Sequence, residues 1–242
     1  MKTLVPDTRN SLLSEPSKMP CYSYGLPAHK SCPRANGTIC NGRPGKKDGC
    51  YAGRGFYTMK STEAAQAARF AWTREMMKTD EGLEQWVAYM VAAIRRATAR
   101  QTEKLFRIHD SGDFFSPRYA RAWRMVCGQL PEVDFWAPFR GWQLPTGSAV
   151  DNLKPFRVLD ESDLLLAELL AMAALPNVTL RPSALNFGEP APEIPGFHAG
   201  SAASNSHLDG HYECPAQSQG NNCGSCRVCW HSKSTRVRYH EH

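Results

Sequence analysis

Two stretches of the chain, 64–76 and 83–94, have apolar residues at the three- and four-residue steps of a helical face. Ser61 is expected to cap the first of these helices, with Glu63 in its first turn. Residues 1–57 have little such periodicity and are rich in Pro, Gly, Asn and Ser. We therefore predict two helices after an irregular segment that requires a ligand, such as a metal, to become ordered.

Downstream of these helices, short apolar runs alternate with polar loops and amphipathic stretches. Strands are predicted at 105–108, 133–139 and 177–180, and helices at 116–130 and 160–174. Ser116 and Pro117 are an N-cap residue and a first-turn proline for the first of these helices. Strands that alternate with helices pair in parallel through right-handed crossovers. The predicted fold class is α/β, either a partial (incomplete) TIM-like βα barrel or a short parallel sheet, with irregular cysteine-rich N- and C-terminal segments.

The predicted organisation is one compact unit with three parts. These are an irregular cysteine-rich metal-binding segment at 1–57, an α/β core at 58–187, and an irregular segment with a C-terminal cysteine-rich metal-binding module at 188–242. A chain of 242 residues that is 42% hydrophobic can form one substantial core. Its longest apolar stretch, 164–174, is shorter than the about 20 residues of a membrane span. Pro6, Asp7 and Arg9 would interrupt a secretory signal, so we expect a cytoplasmic protein with no membrane partner.

The nine cysteines are the main chemical signal in the sequence. A reducing cytoplasm does not favour disulfides, so we predict metal ligation. Eight of them lie towards the two ends of the chain: Cys21, Cys32, Cys40 and Cys50, then Cys214, Cys223, Cys226 and Cys229. The last three are separated by two residues each, a consecutive run typical of iron–sulfur clusters. Zinc is the alternative, because four cysteines can also form a tetrahedral zinc site.

The N-terminal cysteines Cys32, Cys40 and Cys50 are separated by seven and nine residues, which is wider than a standard zinc or ferredoxin pattern. Glycines and prolines between them allow a loop to fold back around one ion or cluster. If only these three bind a [4Fe-4S] cluster, one iron keeps an open position for a substrate or cofactor. The alternative is that some of them are free thiols. Cys127 lies within an amphipathic helix and is expected to be a buried apolar residue.

Polar residues follow each predicted strand, at the edge where parallel α/β folds bind their ligands. The candidate catalytic residues are His109, Asp110, Asp113, Arg140, Arg181 and Ser183. Arginines after apolar strands suit an anionic substrate, and a histidine or carboxylate can transfer protons. Each residue also has a structural alternative: the aspartates as helix caps or turn residues, the histidine as a core residue, and the arginines as surface charge.

Several motifs together resemble one known family. LPAHKSCP, CYAGRG, RIHDSGDFFSPRYARAW, FWAPFRGW, CPAQ and CGSCRVCW occur in an order and spacing similar to those of the phage gene product 88 family, from about residue 24 to 230. The resemblance implies metal binding and a phage origin, and hence the host cytoplasm. The family's recurring cysteines correspond to Cys32, Cys40, Cys50, Cys214, Cys223, Cys226 and Cys229. Cys21 and Cys127 fall outside that set.

The arrangement also looks distantly like radical-SAM-type barrels, in which three cysteines hold a [4Fe-4S] cluster at the strand mouth. The triplet of those proteins is more closely spaced than residues 32–50, which weakens the case for S-adenosylmethionine (SAM) as a cofactor. The leading hypothesis is a phage enzyme with one or two [4Fe-4S] clusters that acts on an anionic small molecule or nucleic acid.

Two alternative functions stay open from the sequence. One is a non-enzymatic module whose structure is stabilised by zinc or an inert cluster. It would bind nucleic acid or a host protein through a basic surface including Arg236 and Arg238. The net charge of +6 is compatible with it. The other is a plain electron carrier with fully ligated clusters.

Overall fold

The computed structural model describes residues 12–32, 50–142 and 158–240. Within these ranges the chain is a mixed α/β structure with five α-helices and two short parallel sheets. Two short 3-10 helices, Tyr51–Gly53 and Gly55–Thr58, precede the first α-helix. The predicted α/β class with a short parallel sheet is confirmed, and the strands of the described ranges do not close into a barrel.

The larger sheet has four strands in the spatial order β1-β2-β3-β4, which is also their order along the chain. Their bounds are Tyr22–Ser23 for β1, Leu105–Arg107 for β2, Asp134–Phe139 for β3 and Val178–Pro182 for β4. All neighbouring strands are parallel, so their carboxyl ends lie together at one edge, the carboxyl edge. Strands β2 to β4 are the predicted ones, whereas β1 lies inside the segment expected to be irregular.

Four helices connect the strands of this sheet. They are α1 (Lys60–Met76) and α2 (Asp80–Thr98) between β1 and β2, α3 (Pro117–Gln129) between β2 and β3, and α4 (Val158–Ala173) between β3 and β4. Ser116 caps α3 as predicted, because its hydroxyl accepts a hydrogen bond from the Tyr119 amide at 3.3 Å. Thr79 caps α2 in the same way. The predicted cap at Ser61 is wrong, because Met59 precedes α1 and makes no side-chain cap.

The helices cover one face of the sheet with an apolar core. Trp86 and Trp123 from the helices and Phe106 and Phe135 from the strands are all fully buried there. The two tryptophans meet edge to face with ring centroids 5.3 Å apart, an arrangement that aromatic pairs prefer. Cys127 of α3 is buried in the same core, as expected from the helical pattern.

The opposite face of the sheet is covered by the C-terminal module, residues 198–240. This module contains β5 (Ser201–Ala203), β6 (Tyr212–Glu213), the short helix α5 (Val228–His231) and β7 (Val237–Tyr239), with the strands in the order β5-β7-β6. Trp230 packs against Trp136 of β3 with ring centroids 5.3 Å apart. Its indole Nε1 also donates to the Phe106 carbonyl at 3.1 Å. The segment expected to be irregular therefore contains a small sheet that docks on the larger one.

Candidate metal centre and substrate site

The C-terminal cysteines are presented by three different local structures. Cys214 directly follows β6, and Cys229 lies in α5. Cys223 and Cys226 are joined by a tight turn in which the Cys226 amide donates to the Cys223 carbonyl at 3.0 Å. The Cys223 amide in turn donates to the carbonyl of Lys18 at 3.0 Å, so the N-terminal segment contacts this group.

Charges of neighbouring C-terminal cysteines affect the pKa values of Cys223 and Cys229. Burial raises the pKa of Cys223, the charge of Cys214 adds to that effect, and the Lys18 ammonium opposes it. Burial raises the pKa of Cys229 to about 11, with a hydrogen bond from Tyr239 acting in the opposite direction. Cys214, Cys223, Cys226 and Cys229 therefore lie in one region of the C-terminal module, and we call them the cysteine quartet.

Two tyrosine hydroxyls contact sulfurs of the quartet. The Tyr239 hydroxyl lies 3.3 Å from Cys229 Sγ, and the Tyr212 hydroxyl lies 3.7 Å from Cys226 Sγ. Cys21 is also adjacent: burial raises its pKa to about 12, and Cys223 is among the charges that affect it. The sequence grouped Cys21 with the N-terminal cysteines, but in the fold it lies beside the C-terminal ones.

The side chains of the described residues include no group of three or more His, Cys, Asp or Glu arranged to hold a metal ion. A single tetrahedral zinc needs thiolates in contact with one ion, whereas a [4Fe-4S] cluster is larger and separates its ligands. Four thiols are a donor set that either kind of metal centre could use. Of the N-terminal triplet, Cys32 and Cys50 are described and half-buried, and Cys40 lies outside the described residues.

At the carboxyl edge, two tyrosines from the 3-10 helices meet Asp110. The Tyr51 hydroxyl donates to the Asp110 carbonyl, and the Tyr57 hydroxyl donates to the same oxygen at 3.2 Å. Arg107 Nη2 donates to the Tyr51 hydroxyl at 3.0 Å. The Tyr51 ring is 45% exposed, but its hydroxyl points inward, and burial raises its pKa to about 12. Because Cys50 directly precedes Tyr51, this cysteine is held close to the carboxyl edge.

Arg107 is a central residue of this edge that sequence reasoning missed. Its Nε donates to the His109 carbonyl at 2.9 Å, and its guanidinium lies 4.6 Å from the Trp136 ring centroid in a cation–π contact. The available signal was an arginine inside an apolar strand, which needs internal partners when it is buried. Here those partners are a tryptophan face, a backbone carbonyl and a tyrosine hydroxyl.

His109 is placed in the helix-face core. Its Nε2 is 2.9 Å from the Tyr119 hydroxyl, and its ring lies against Phe114 with centroids 4.6 Å apart. Burial, assisted by the positive charge of Arg107, lowers the pKa of His109 to about 3. The neutral form of the imidazole is therefore favoured at ordinary pH, and the burial and ring contacts of His109 are those of a core residue.

Three other candidates connect the strand ends to one another. Asp113 Oδ1 accepts from the Phe114 amide at 2.7 Å, and Oδ2 accepts from the Arg140 amide at 2.9 Å. The Arg140 side chain remains at the edge, where its Nε donates to the Ala184 carbonyl at 3.0 Å. The Ser183 hydroxyl lies 3.0 Å from that of Ser201, at a bridge between β4 and β5. Asp113 and Ser183 thus contribute to architecture, and the charge of Arg140 is one of the influences that lower the pKa of Tyr51 against the effect of burial.

Arg181 is not brought to the same place as the other candidates. It is fully buried, and its guanidinium donates to backbone carbonyls of the C-terminal module, those of Ala199, Val228, Ser232 and Thr235. The guanidinium therefore anchors the module to β4 and does not face the carboxyl edge. Arg236 and Arg238, expected to form a basic surface, are ion-paired with Glu193 and Glu213.

Two concave surfaces lie away from the strand ends. One, of about 390 Å³, is lined by residues 193–199. The other, of about 310 Å³, is lined in part by Met19, Cys21 and Gln101. Neither surface includes the residues around Tyr51 and Asp110. In the part of the chain that the structure describes, no helix has the length and apolar character needed to cross a bilayer.

These features define a class: an α/β protein with a parallel sheet, a cysteine quartet on one face and further cysteines near its carboxyl edge. The chain belongs to the gene product 88 family, which it matches over residues 3–232, so the resemblance noted from its motifs is confirmed. It is 36% identical over 155 residues to the Gene 88 protein of Mycobacterium phage L5, covering 61% of each chain. It is 32% identical over 117 residues to the Gene 88 protein of Mycobacterium phage D29, covering 48% of this chain and 45% of that one.

The matched regions therefore span less than two thirds of either relative's length. No solved structure matches the chain significantly. The match over residues 3–232 establishes the family, and the chemistry has to be argued from the residues of this chain.

Proposed function

We propose that this chain is an iron–sulfur protein in which the cysteine quartet binds a [4Fe-4S] cluster. The observation that carries the proposal is that four cysteines, from the end of β6, a tight turn and α5, lie in one region near the cations Lys18 and Arg107. A cluster bound by four thiolates is negatively charged, and these cations offset that charge. Burial raises the pKa of Cys223 and Cys229, so metal binding to these thiols would release protons and is expected to strengthen as pH rises.

We further propose a second [4Fe-4S] cluster on Cys32, Cys40 and Cys50 at the carboxyl edge of a partial βα barrel. The strand order β1-β2-β3-β4 is the sequential order in which such a barrel winds. The position of Cys50, next to Tyr51, supports a site at this edge. With three protein ligands, such a cluster would offer an open iron position to a substrate.

The carboxyl edge also has groups suited to an anionic substrate, which supports an enzyme. Arg140 follows β3 and offers positive charge, which acts on the pKa of Tyr51. The Asp110 carboxylate, which accepts from Tyr57 at 3.4 Å, is the group we assign to proton transfer in place of His109. Arg140 would bind and orient the substrate, and the two tyrosines would hold the edge around it.

The first test is anaerobic purification followed by iron and acid-labile sulfide analysis. We expect about four irons per chain for one cluster, or about eight for two, with matching sulfide. Cys229→Ser should remove the quartet's iron, whereas the matched control Cys127→Ser, buried in α3, should retain it. Zinc without sulfide in the wild-type protein would contradict the cluster and favour zinc as a structural staple.

A second test examines the enzyme proposal by calorimetric titration of the anaerobic protein with inorganic phosphate and with SAM. If either binds at the edge, Arg140→Gln should weaken it about tenfold, roughly 1.4 kcal/mol. Arg96→Gln, on the exposed side of α2, is the matched control. Clusters that cycle reversibly, with no binding of either ligand, would instead identify an electron carrier.

A further inference from the structure

We infer that Tyr239 tunes the reduction potential of the cluster proposed on the quartet, by donating a hydrogen bond from its hydroxyl to the sulfur of Cys229. The inference rests on the proposed function and adds a positioning residue outside the ligand set. It is carried by the 3.3 Å distance between the Tyr239 hydroxyl and Cys229 Sγ.

The backbone of Tyr239 is well anchored. The residue lies at the end of β7 and is in register with Ala203 of β5. Its carbonyl accepts from the Ser204 amide at 2.9 Å. A side chain on a paired strand has a defined direction, so the hydroxyl is positioned in advance of metal binding.

The Tyr239 ring is also constrained by its neighbours. It lies 6.4 Å from the Trp136 ring, centroid to centroid, and Trp136 is itself packed against Trp230. Trp230 is in the same short helix as Cys229, and both side chains pack in the same hydrophobic group as Tyr239. The tyrosine hydroxyl and the cysteine sulfur are therefore held by one packed group of side chains.

Metal binding determines the direction of this hydrogen bond. In the free protein either the thiol or the tyrosine can be the donor. A cysteine that binds iron has lost its proton, so only the Tyr239 hydroxyl can then donate. A hydrogen bond to a ligand sulfur withdraws electron density and stabilises the more negative, reduced state, which raises the reduction potential.

Tyr212 provides an internal comparison for this effect. Its hydroxyl lies 3.7 Å from Cys226 Sγ, which is longer than the Tyr239 contact, and its side chain is exposed. A long hydrogen bond in contact with water stabilises charge less, because water competes for the same acceptor. We therefore expect Tyr212 also to raise the reduction potential, by less than Tyr239 does.

The experiment is an anaerobic redox titration of the full chain, followed by electron paramagnetic resonance. Tyr239→Phe should keep the wild-type iron and sulfide content and shift the midpoint potential to a more negative value. Tyr212→Phe should shift it in the same direction by less. Tyr89→Phe, on the outer side of α2, is the control and should leave it unchanged.

A second substitution keeps the test decisive if Tyr239→Phe fails to retain iron. Replacement of Tyr239 by 3,5-difluorotyrosine preserves the ring and makes its hydroxyl a stronger donor, so the potential should become more positive. An unchanged potential in a variant that retains its cluster overturns the inference and leaves the proposed function intact. A wild-type protein without iron and sulfide overturns the proposed function instead.

Discussion

The two faces of the four-stranded sheet are covered in different ways. On the helix face, Trp86 and Trp123 pack on Phe106 and Phe135, and the contact is almost entirely apolar. On the module face, polar side chains of β4 reach the backbone of a chain with little regular structure. The comparison indicates that the helix face is stabilised by buried area and the module face by directed hydrogen bonds.

The difference follows from the backbone of each covering layer. A helix satisfies its own amides and carbonyls, so the sheet has only to offer it an apolar surface. The C-terminal module has many carbonyls without partners in a helix or strand. The Arg181 guanidinium satisfies several of them, and the Thr179 hydroxyl donates to the Trp230 carbonyl. The polar side chains of the buried strand β4 therefore provide the hydrogen-bond donors that the module requires.

The largest effect is expected from opening a cavity on the helix face. Trp86→Ala should lower the free energy of unfolding by about 3–5 kcal/mol, because Trp86 is fully buried and also donates to Thr73. Chemical denaturation of the purified protein measures this. Tyr89→Ala on the exposed side of the same helix is the control, and an equal loss in both variants would contradict the assignment of the core.

Removing the main anchor of the module face should have a smaller and more local effect. Arg181→Met preserves apolar volume and leaves four buried carbonyls without their donor, at a cost of about 3 kcal/mol. Hydrogen exchange should accelerate across residues 198–240 and not in α2 or α3. Arg236→Met, at a partly exposed ion pair, is the control. Uniform acceleration throughout the chain would show that the two faces are not independent.

His109 should make the helix face sensitive to acid. The pKa of His109 is about 3 in the folded protein and near 6.5 in the unfolded chain. Its contribution to the free energy of unfolding is therefore complete above about pH 6.5 and is lost as pH falls towards 3. By pH 5 the loss is roughly 2 kcal/mol. His109→Asn removes the titration and tolerates the residue's φ of 74°.

Denaturation of wild type and His109→Asn between pH 7 and pH 5 measures this difference. The variant should lose less stability than the wild type over that interval, whatever its stability at pH 7. Parallel loss in the two proteins would mean that other groups dominate the acid response.

The smallest expected effect is the loss of one hydrogen bond to the module. Thr179→Val keeps the shape of the side chain and leaves the Trp230 carbonyl without this donor, at a cost of about 1 kcal/mol. Thr102→Val, at an exposed position, is the control. The comparison of denaturation midpoints would detect the difference, and no change at Thr179 would indicate that a water replaces the hydroxyl.

Much of the helix face could be predicted from the sequence, because its signals are local. The periodicity of α1 to α3 and the cap at Ser116 depend on residues within a few positions of one another. The small strands β1, β5, β6 and β7 have only two or three residues each, too few for an alternating pattern to be recognised. Their pairing with distant segments determines that they are strands.

The candidate site was harder to predict, because the direction of a side chain decides its role. Arg181 and Arg140 both follow or end an apolar strand, yet one anchors the module and the other stays at the carboxyl edge. Alternate residues of a strand point to opposite faces, so a shift of one position changes the role. Arg107 and Tyr51 were missed because their contact joins residues 56 positions apart in the sequence.

The sequence by itself determined the α/β order of elements, the buried helical faces and the close spacing of Cys223, Cys226 and Cys229. These properties depend on neighbouring residues and on the repeats of helices and strands. Only the tertiary structure decided that Cys21 lies beside the quartet, that His109 is a buried core residue, and that Tyr239 meets Cys229. Such contacts arise when distant segments pack on the same face of the sheet, and no local pattern encodes which segments will meet.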